Sequence, residues 1–509
     1  MNEEFPRQPD KEELKVLGPI DAISEGEVRL AISKMKNCKA TGPDQIPAEV
    51  WKLLGDDGIA WLTGLFNNII IEGKMPQSWR NSTLVPFYKN KGDVRICGNF
   101  RGIKLTSHTL KIWERVLNQR LLRLVSITAN QFGFMPGKGT MDAIHAVRTV
   151  IEKARTNKQA LWMVFIDLEK AFDRVPRPLI WQALRAHNIP EYFVKLIQDT
   201  YSDARTAVRS PAGLSESFDV KVGVHQGSAL SPLLFNIVMN YLTATIQKPV
   251  PWNMLYADDV VLLSDSKQDI QENLEQWRRA LESGGLRISR SKTEYMVCHF
   301  NQTRPLDTDV TLDNIKLPQV HKFKYLGSMI ADDGTIEADV TNRITTAWIK
   351  WRSLTGVLCD TKIPVRTKGK VYKTAVRPAM LYGSEIWATK RTHTQKLHTT
   401  EMRMLRWSVG VTMKDKVRNE HIRGSLKIAP IADKMVEARL RWYGHVIRRP
   451  EDYVVKKCLS YATQKRQRGR PLATWLTTVQ KDMKNMSLTV DDTENRTKWR
   501  RMIRKADPV

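Results

Sequence analysis

The chain has few cysteines, no long apolar stretch and a deficit of acidic residues. Its five cysteines are scattered singly through 509 residues, with no Cys-x-x-Cys pair and no histidine at zinc-knuckle spacing, a pattern typical of reduced structural thiols. No apolar stretch approaches the roughly 20 residues that cross a bilayer, and the N-terminus lacks an apolar signal core. We therefore expect a soluble protein of the nucleus or cytoplasm with no membrane partner.

Basic residues outnumber acidic ones by 81 to 54, which gives a net charge of +27. Such a charge favours a polyanionic partner, and nucleic acid is the leading one. The excess is uneven, because residues 401–509 contain 26 Lys and Arg against 12 Asp and Glu, a net of +14. We expect this last fifth of the chain to be a separate basic module, and the polar, proline-bearing N-terminus to be a disordered lead-in.

The most informative stretch is the segment Met254–Leu263, in which Asp258 and Asp259 separate two apolar runs. It predicts a hairpin with a doubly acidic tip. A second apolar run, Leu161–Ile166, also ends on an acid, Asp167. Three carboxylates at the ends of buried strands would form a hard oxygen site suited to Mg²⁺. The alternative is three solvated turn acids, since aspartate is a favoured turn residue.

Further blocks surround these acids. In chain order they are Gly98–Ile103, Phe165–Pro176, Gly223–Phe235, Met254–Leu263, Gly285–Thr293, Phe323–Gly327 and Leu440–Pro450. In order and spacing they resemble the successive motifs of reverse transcriptases, and most of all those of non-LTR retrotransposons of the RTE-like clade. A single Tyr-x-Asp-Asp is a weak signal, whereas ordered blocks that cover nearly the whole chain are a strong one.

The resemblance implies an α+β fold, a right-hand polymerase with fingers, a palm built on an antiparallel sheet and a helical thumb, followed by a basic, mainly helical C-terminal domain. The expected segments are a disordered lead-in at 1–22, a helical extension at 23–83, fingers at 84–160, the palm with its primer grip at 161–335, a thumb at 336–400 and a nucleic-acid-binding domain at 401–509.

The resemblance also implies the catalytic residues. Asp167 and Asp258 match the ligands that bridge two Mg²⁺ ions, with Mn²⁺ as a possible substitute, and Asp259 matches a less direct third acid. Two ions about 4 Å apart stabilise the attacking and leaving oxygens of nucleotidyl transfer. Lys292 matches a mobile-loop lysine that protonates the pyrophosphate leaving group, although a lone lysine is ordinarily solvated surface.

Four residues are expected at the nucleotide. Phe172 matches the bulky ring that excludes a ribonucleotide 2′-OH, with a packed core phenylalanine as the alternative. Gln226 and Gly227 match the pocket lining, or else form a structural turn. Arg101 is a candidate ligand of the triphosphate or the template. The match to the primer grip, for which a buried hairpin is the alternative, falls on Tyr325, Leu326 and Gly327.

The C-terminal region offers two nucleic-acid-binding candidates. Arg468 and Arg470 belong to an Arg-Gly-Arg-Pro sequence that looks like a minor-groove hook, or serves nuclear import, unless it is a solvated charge run. Arg441 and Trp442 place charge beside stacking surface, although tryptophan on an amphipathic helix is more often core.

Periodicity predicts helices from about Ile23 to Met35 and around a core stripe that begins at Leu110. Ser231 followed by proline predicts a helix with Ser231 as its N-cap. Strands and helices alternate between residues 161 and 300, which favours a sheet covered by helices on one face, and residues 337–404 are mostly helical in pattern.

We therefore expect an RNA-directed DNA polymerase that extends a DNA primer or target with dNTPs on an RNA template. Because only about 20 residues precede the first helix, far fewer than a typical domain, and relatives usually carry an endonuclease there, we expect the chain not to nick its own target. Two alternatives stay open, namely a decayed or co-opted copy that binds nucleic acid without catalysis, and an RNA-templated RNA polymerase, which Phe172 disfavours. The sequence does not indicate an oligomeric state.

Overall fold

The protein is represented by a computed structural model that describes residues 3–10, 13–18, 20–90, 92–300, 308–460 and 472–508. Its first part contains α1 (Glu25–Ser33), α2 (Ala48–Leu53), α3 (Gly55–Glu72), β1 (Asn81–Tyr88), β2 (Phe100–Leu105), α4 (His108–Leu124), α5 (Thr140–Asn157), β3 (Leu161–Ile166), α6 (Ala171–Arg174), α7 (Arg177–Ala186), α8 (Glu191–Tyr201), β4 (Arg205–Ser210), β5 (Gly213–Leu214), β6 (Phe218–Asp219), α9 (Ser231–Thr243), β7 (Asn253–Tyr256), β8 (Asp259–Ser264), α10 (Lys267–Ser283) and β9 (Glu294–Cys298).

The second part is mostly helical, as the sequence predicts beyond residue 337. It contains β10 (Thr311–Leu312), β11 (Ile315–Lys316), β12 (Lys322–Tyr325), β13 (Ser328–Ala331), α11 (Glu337–Arg352), α12 (Thr355–Leu358), α13 (Val365–Val371), α14 (Arg377–Leu381), α15 (Arg391–Val409), α16 (Asn419–Leu426), α17 (Ile431–Ile447), α18 (Val454–Ser460), α19 (Trp475–Asn485) and α20 (Arg496–Met502). Across the described ranges, no helix combines the length and the apolar character that a bilayer crossing requires.

Local sequence accounts for the first helices. Ser24 and Glu27 form a capping box, so α1 begins within the segment that periodicity predicts. The predicted stripe lies on α4, where its apolar side chains are fully buried in the core, namely Leu110, Trp113, Leu117 and Leu121.

The central sheet has the strand order β7, β8, β3, β9, and every neighbouring pair is antiparallel. β3 is an inner strand because all of its side chains are apolar, and all are buried. Ile166 at the end of β3 pairs with Val260 of β8. Asp167, the next residue, therefore lies beside the start of β8.

Helices cover both faces of this sheet. Alternate residues of a strand point to opposite faces, and the even-numbered residues of β3 pack with α4, α7, α9 and α10. The odd-numbered residues pack with α5, α11, α15 and α17. The expectation of helices on one face is wrong, because the chain beyond residue 337 returns to bury the second face.

A second sheet joins distant segments. Its order is β2, β1, β4, β5, with β6 also paired to β4, and β1 runs parallel to β4. Residues 205–219, expected in the palm, thus pair with strands expected in the fingers. The expected boundary between residues 160 and 161 therefore does not coincide with a division between the two sheets.

The C-terminal region is not a separate module, contrary to expectation. α15 crosses the expected boundary between residues 400 and 401, and Glu401 is fully buried within it. The Glu401 carboxylate accepts hydrogen bonds from Arg423 at 3.1 Å, Arg377 at 3.4 Å and the amide of Ile431 at 3.1 Å. Apolar faces of α15, α16 and α17 join the core beneath the central sheet, while α17, α19 and α20 share a smaller one.

The described residues of the lead-in form no helix or strand but contact the protein. The Gln8 amide donates to the Ser283 carbonyl at 2.9 Å, and the Val16 carbonyl accepts from the Glu191 amide at 2.8 Å. Tyr241 donates to the Glu13 carboxylate at 3.0 Å. The expectation of a disordered lead-in is wrong for these residues, because backbone groups tie them to the surface.

Candidate active site

The acidic turn joins β7 to β8 as the sequence predicts. The turn residues are Ala257 and Asp258, and Asp259 begins β8 opposite Tyr256. Ala257 has a φ of 57°, a left-handed conformation that non-glycine residues seldom adopt. Its amide donates to Gln131 Oε1 at 3.0 Å. This contact stabilises the conformation that presents the two carboxylates.

The strand register brings Asp167, Asp258 and Asp259 to the same end of the central sheet. Burial raises the pKa of Asp258, and the charge of Asp167 raises it further. Desolvation, then Asp258 and then Asp167, raise the pKa of Asp259 to about 6, even though its side chain reaches solvent. Arg101 opposes both shifts in pKa without cancelling them. Bringing a cation to these carboxylates would relieve their mutual repulsion.

Asp167 is fixed by the segment that precedes β9. Its amide donates to Thr293 Oγ1 at 3.3 Å, and its carbonyl accepts from the Ser289 amide at 2.8 Å. Its Oδ2 atom is enclosed and has no hydrogen-bond partner. The exposed Lys292 ammonium lies 3.5 Å from that oxygen, an ion-pair distance. The structure thus places two predicted catalytic residues, Asp167 and Lys292, side by side.

The donor set suits a divalent cation, although the side chains do not enclose one. Among the described residues, no three His, Cys, Asp or Glu side chains are gathered closely enough to hold a metal ion. Carboxylate oxygens are nonetheless the ligands that Mg²⁺ prefers, and the enclosed Asp167 Oδ2 lacks a donor. Lys292 already places one positive charge there. By these criteria the residues fit a hard cation.

Phe172 is half-buried and packs against the core on the α9 side of the central sheet. Its ring stacks on Phe235 with centroids 4.4 Å apart and planes 23° apart. This packing restrains the ring in one orientation while part of it stays accessible. Arg101, on β2, is exposed and lies near enough to influence the acids of the turn.

Gln226 and Gly227 lie against β2. Gln226 Nε2 donates to Asp173 Oδ1 at 2.6 Å, and its carbonyl accepts from the Lys104 amide at 3.0 Å. Gly227 has a φ of 106°, and a Cβ there would lie 2.9 Å from the Lys104 carbonyl oxygen. Only glycine fits this close approach without a shift of the backbone.

The helix predicted after residue 230 is present as α9, but Ser231 is not its side-chain cap. The Ser228 hydroxyl accepts from the amides of Leu230 at 3.1 Å and Ser231 at 3.3 Å. It also donates to buried Glu114 at 2.8 Å. The Ser231 hydroxyl instead contacts the Tyr201 hydroxyl at 3.1 Å. The cap was misplaced because two serines lie close together and sequence pattern does not say which one turns inward.

The segment expected as a primer grip is the turn between β12 and β13. Tyr325 is buried, and its hydroxyl has no hydrogen-bond partner within the described chain. Leu326 and Gly327 have φ values of 45° and 87°. Their carbonyls accept hydrogen bonds from Tyr382, at 2.8 Å, and from Arg343 respectively. The turn is therefore held from the helical side.

Sequence reasoning missed the loop at residues 131–139, which we call the brace loop. Gln131 Oε1 accepts from the amide of Ala257 in the acidic turn and from a second amide inside the loop. The Phe134 ring lies 6.4 Å from the Tyr256 ring. A glutamine beside closely spaced glycines and a proline was the available signal.

The C-terminal candidates divide into three cases. Arg441 is exposed and pairs with Glu437. Trp442 is half-buried, and its Nε1 donates to His145 Nδ1 at 2.9 Å, so one edge of this ring is a structural contact. Arg468 and Arg470 lie outside the described residues.

An Asp-Asp turn beside a strand that ends in a further aspartate, on an antiparallel sheet, is the arrangement expected of a nucleic-acid polymerase. Residues 88–330 match the family described as "Reverse transcriptase (RNA-dependent DNA polymerase)". This match covers just under half of the chain, so residues 88–330 are similar to reverse transcriptase domains.

The relatives are proteins of mobile elements. The chain is 26% identical over 440 residues to the RNA-directed DNA polymerase from mobile element jockey of Drosophila melanogaster, covering 82% of this chain and 47% of the relative. It is 25% identical to the retrovirus-related Pol polyprotein from type-1 retrotransposable element R2 of Nasonia vitripennis, covering 65% and 34%. The chain thus spans about half the length, or less, of these relatives. A Candida tropicalis telomerase structure aligns with a TM-score of 0.35 and 12% identity, over 82% of this chain and 68% of that one.

Proposed function

We propose that the chain is the RNA-directed DNA polymerase of a non-LTR retrotransposon of the RTE-like clade, working in the nucleus or cytoplasm. It adds dNTPs to the 3′ end of a DNA primer or target on an RNA template. One observation carries the proposal. Asp167, Asp258 and Asp259 lie near one another at one end of the central sheet, inside the region that matches reverse transcriptases.

The carboxylates bind the catalytic cations. Asp167 and Asp258, with Asp259 beside them, would hold two Mg²⁺ ions, for which Mn²⁺ could substitute. Bound there, the ions would supply Lewis-acid stabilisation of the charge that develops on the attacking and leaving oxygens. The chain positions Asp167 through its backbone contacts with Ser289 and Thr293. Lys292 donates the proton that the departing pyrophosphate takes up.

The nucleotide lies between β2 and the acidic turn. Phe172, restrained by Phe235, excludes a 2′-OH. Gln226 and Gly227 line the pocket, with the backbone of Gly227 close to the substrate. Arg101 pairs bidentately with the triphosphate, because its guanidinium fork matches phosphate geometry.

The remaining expected roles are part of the same proposal. Tyr325, Leu326 and Gly327 support the primer strand. Residues 84–160 together with 205–219 act as fingers, the rest of 161–335 as palm and 336–400 as thumb. Arg441, Arg468 and Arg470 contact nucleic acid, while Trp442 acts through packing.

The test is primer extension on an RNA template with Mg²⁺. We expect Asp258→Ala to lower dNTP incorporation by more than about a hundredfold, because the developing charge loses its stabilisation, without changing RNA binding. Asp265→Ala, an exposed acid just beyond β8, is the matched control and should extend normally. Residual extension by Asp258→Ala within tenfold of wild type would refute the site. Wild-type extension with rNTPs, or RNA binding without any extension, would favour the two alternative functions.

Phe172→Ala tests substrate selection separately. Removing the ring opens the space that a 2′-OH needs, so we expect the ratio of rNTP to dNTP incorporation to rise at least about tenfold. Phe235→Ala is the comparison, since it removes the supporting ring and should change the ratio less. An unchanged ratio in Phe172→Ala would show that Phe172 is a core residue.

A further inference from the structure

A basic cavity lies away from the acidic turn, between α17, α20 and the short helix Ser384–Ile386. Its volume is about 650 Å³. Five arginines line it, and we call them the arginine pocket; they are Arg441, Arg448, Arg449, Arg496 and Arg500. Glu385 is the acidic residue of the lining, and burial raises its pKa. The lining therefore carries a large excess of positive charge.

Only some of these arginines have structural partners. Arg441 forms an ion pair with Glu437. Arg448 donates to the Thr493 carbonyl at 2.6 Å, and Arg449 donates to the Gly137 carbonyl at 2.7 Å. Carbonyl oxygens accept hydrogen bonds but do not neutralise a guanidinium charge. Within the part of the chain that the structure describes, Arg496 and Arg500 have no ion-pair or hydrogen-bond partner, and both are exposed on α20.

The arginines repel one another. Burial lowers the pKa of Arg448, and the charge of Arg496 lowers it further. Burial lowers the pKa of His445, and Arg449, Arg448 and Arg496 add to the effect. Like charges crowded around a concave surface are relieved by an anion. Guanidinium forks match the geometry of phosphate.

We propose that the arginine pocket binds consecutive phosphates of a single-stranded nucleic-acid segment. The inference rests on the proposed function, since a polymerase must handle the strands that flank its substrate. The cavity has room for a few nucleotide units and is recessed between two helices, where a flexible strand can enter. We expect a rigid duplex to enter this concave surface less readily than a single strand.

The pocket is connected to the acidic turn through the brace loop. Arg449 contacts that loop at Gly137, and the same loop holds Ala257 through Gln131. Trp442, in the pocket wall, donates to His145 on α5, the helix that follows the loop. A strand bound in the pocket therefore lies against the element that positions the proposed catalytic turn.

The experiment compares two pairs of substitutions on or just after α20. Arg496→Gln with Arg500→Gln removes two pocket charges. Arg501→Gln with Arg504→Gln removes two exposed charges that do not line the cavity. Both variants lose the same net charge, and circular dichroism checks that both are folded. Binding of labelled oligo(U), oligo(dT) and blunt duplex DNA is measured by fluorescence anisotropy without dNTPs or divalent ions.

Each single-strand phosphate contact contributes about 0.7 to the slope of log affinity against log salt. For the variant that carries Arg496→Gln and Arg500→Gln, we expect the slope measured on a single strand to be smaller by about 1.4. Between about 50 and 200 mM salt, the loss of affinity should therefore be about sevenfold smaller for this variant than for the wild type. The control variant should keep the wild-type slope. The comparison of oligo(U) with oligo(dT) assigns the strand to RNA or DNA.

The proposal would be refuted if the two variants had equal salt slopes. It would also be refuted if the loss of slope occurred only with duplex DNA. The outcome is separate from that of the polymerase assay. Normal primer extension together with equal salt slopes in the two variants would refute the binding pocket but not the proposed polymerase function. A difference in slopes without extension by the wild-type chain would remove the proposed function and leave a nucleic-acid-binding pocket.

Discussion

Lys104 on β2 is a buried lysine whose charge the fold does not satisfy. Its side chain is 5% exposed, and its ammonium has no hydrogen-bond partner in the described chain. Burial lowers its pKa from the ordinary 10.5 to about 7, with Arg177 adding to the effect and Glu114 opposing it. We expect Lys104→Met, which keeps the length of the side chain and removes the charge, to stabilise the protein.

The magnitude follows from the two pKa values. At about 1.4 kcal/mol for each tenfold change in proton affinity, a pKa of about 7 instead of 10.5 corresponds to roughly 4 kcal/mol at pH 7. Losing the attraction to Glu114 offsets part of this. We therefore expect a gain of about 2–4 kcal/mol in the free energy of unfolding at pH 7.

The dependence on pH has a definite sign. Above pH 10.5 the lysine is neutral in both states and costs nothing. As the pH falls from about 10 to 7, the unfolded chain takes up the proton and the folded chain does not, so the wild type loses stability relative to the variant. Below pH 7 both states are protonated, and the difference stays constant. The advantage of Lys104→Met should thus grow between pH 10 and pH 7.

Urea unfolding followed by tryptophan fluorescence measures this, because Trp113 is buried on the neighbouring helix α4. Lys324→Met, at an exposed lysine on β12, is the control and should leave the midpoint unchanged at both pH values. A Lys104→Met protein that is no more stable than wild type at pH 7, or whose advantage is equal at pH 10, would refute this account of the lysine.

Three other outcomes are expected. Glu401→Gln leaves the buried Arg423 without its carboxylate partner and leaves Arg377 with Asp507 alone, so it should cost about 3–5 kcal/mol; an unchanged thermal midpoint would contradict this. A chain ending at Thr400 should fail to fold, because residues beyond it complete the core on the α5 side of the central sheet; a cooperative melting transition of the truncated chain would contradict this. Gln131→Leu removes the acceptor of the Ala257 and Gly133 amides, and each lost hydrogen bond should cost about 1–3 kcal/mol. We expect this variant to incorporate dNTPs more slowly while its circular dichroism spectrum is unchanged. Normal incorporation would show that the acidic turn does not need this contact.

The sequence correctly predicted elements that form from neighbouring residues, such as the acidic hairpin and the start of α9. The runs on either side of Asp258 and Asp259 are apolar and short, so their pairing as a hairpin needed no information from elsewhere. The start of α9 followed from its proline, whereas its cap depended on whether Ser228 or Ser231 turns inward. Pattern identifies an element more readily than the direction of one side chain.

Long-range pairings were the part that pattern could not give. β1 and β4 are joined in parallel across more than a hundred residues of sequence, and no periodicity names a partner at that distance. The continuously apolar β3 did contain the signal for two covered faces. Net charge led to the wrong prediction of a separate C-terminal module. Basic residues occupy one side of helices in this region, while the other side of the same helices completes the core, as it does around Glu401.

Helices cover both faces of the central sheet, and this arrangement has a consequence for how the chain folds during its synthesis. The last strand of the central sheet, β9, ends at Cys298. Met435 of α17, which belongs to the core on the second face, is synthesised 137 residues later. At about 5–20 residues per second, this is an interval of roughly 7–30 s. During that interval α5, and later α11, cover only part of this face, so some of its methionine, phenylalanine and leucine side chains lack their final packing partners. We expect such a nascent chain to bind chaperones during translation, because exposed apolar surface is prone to aggregation.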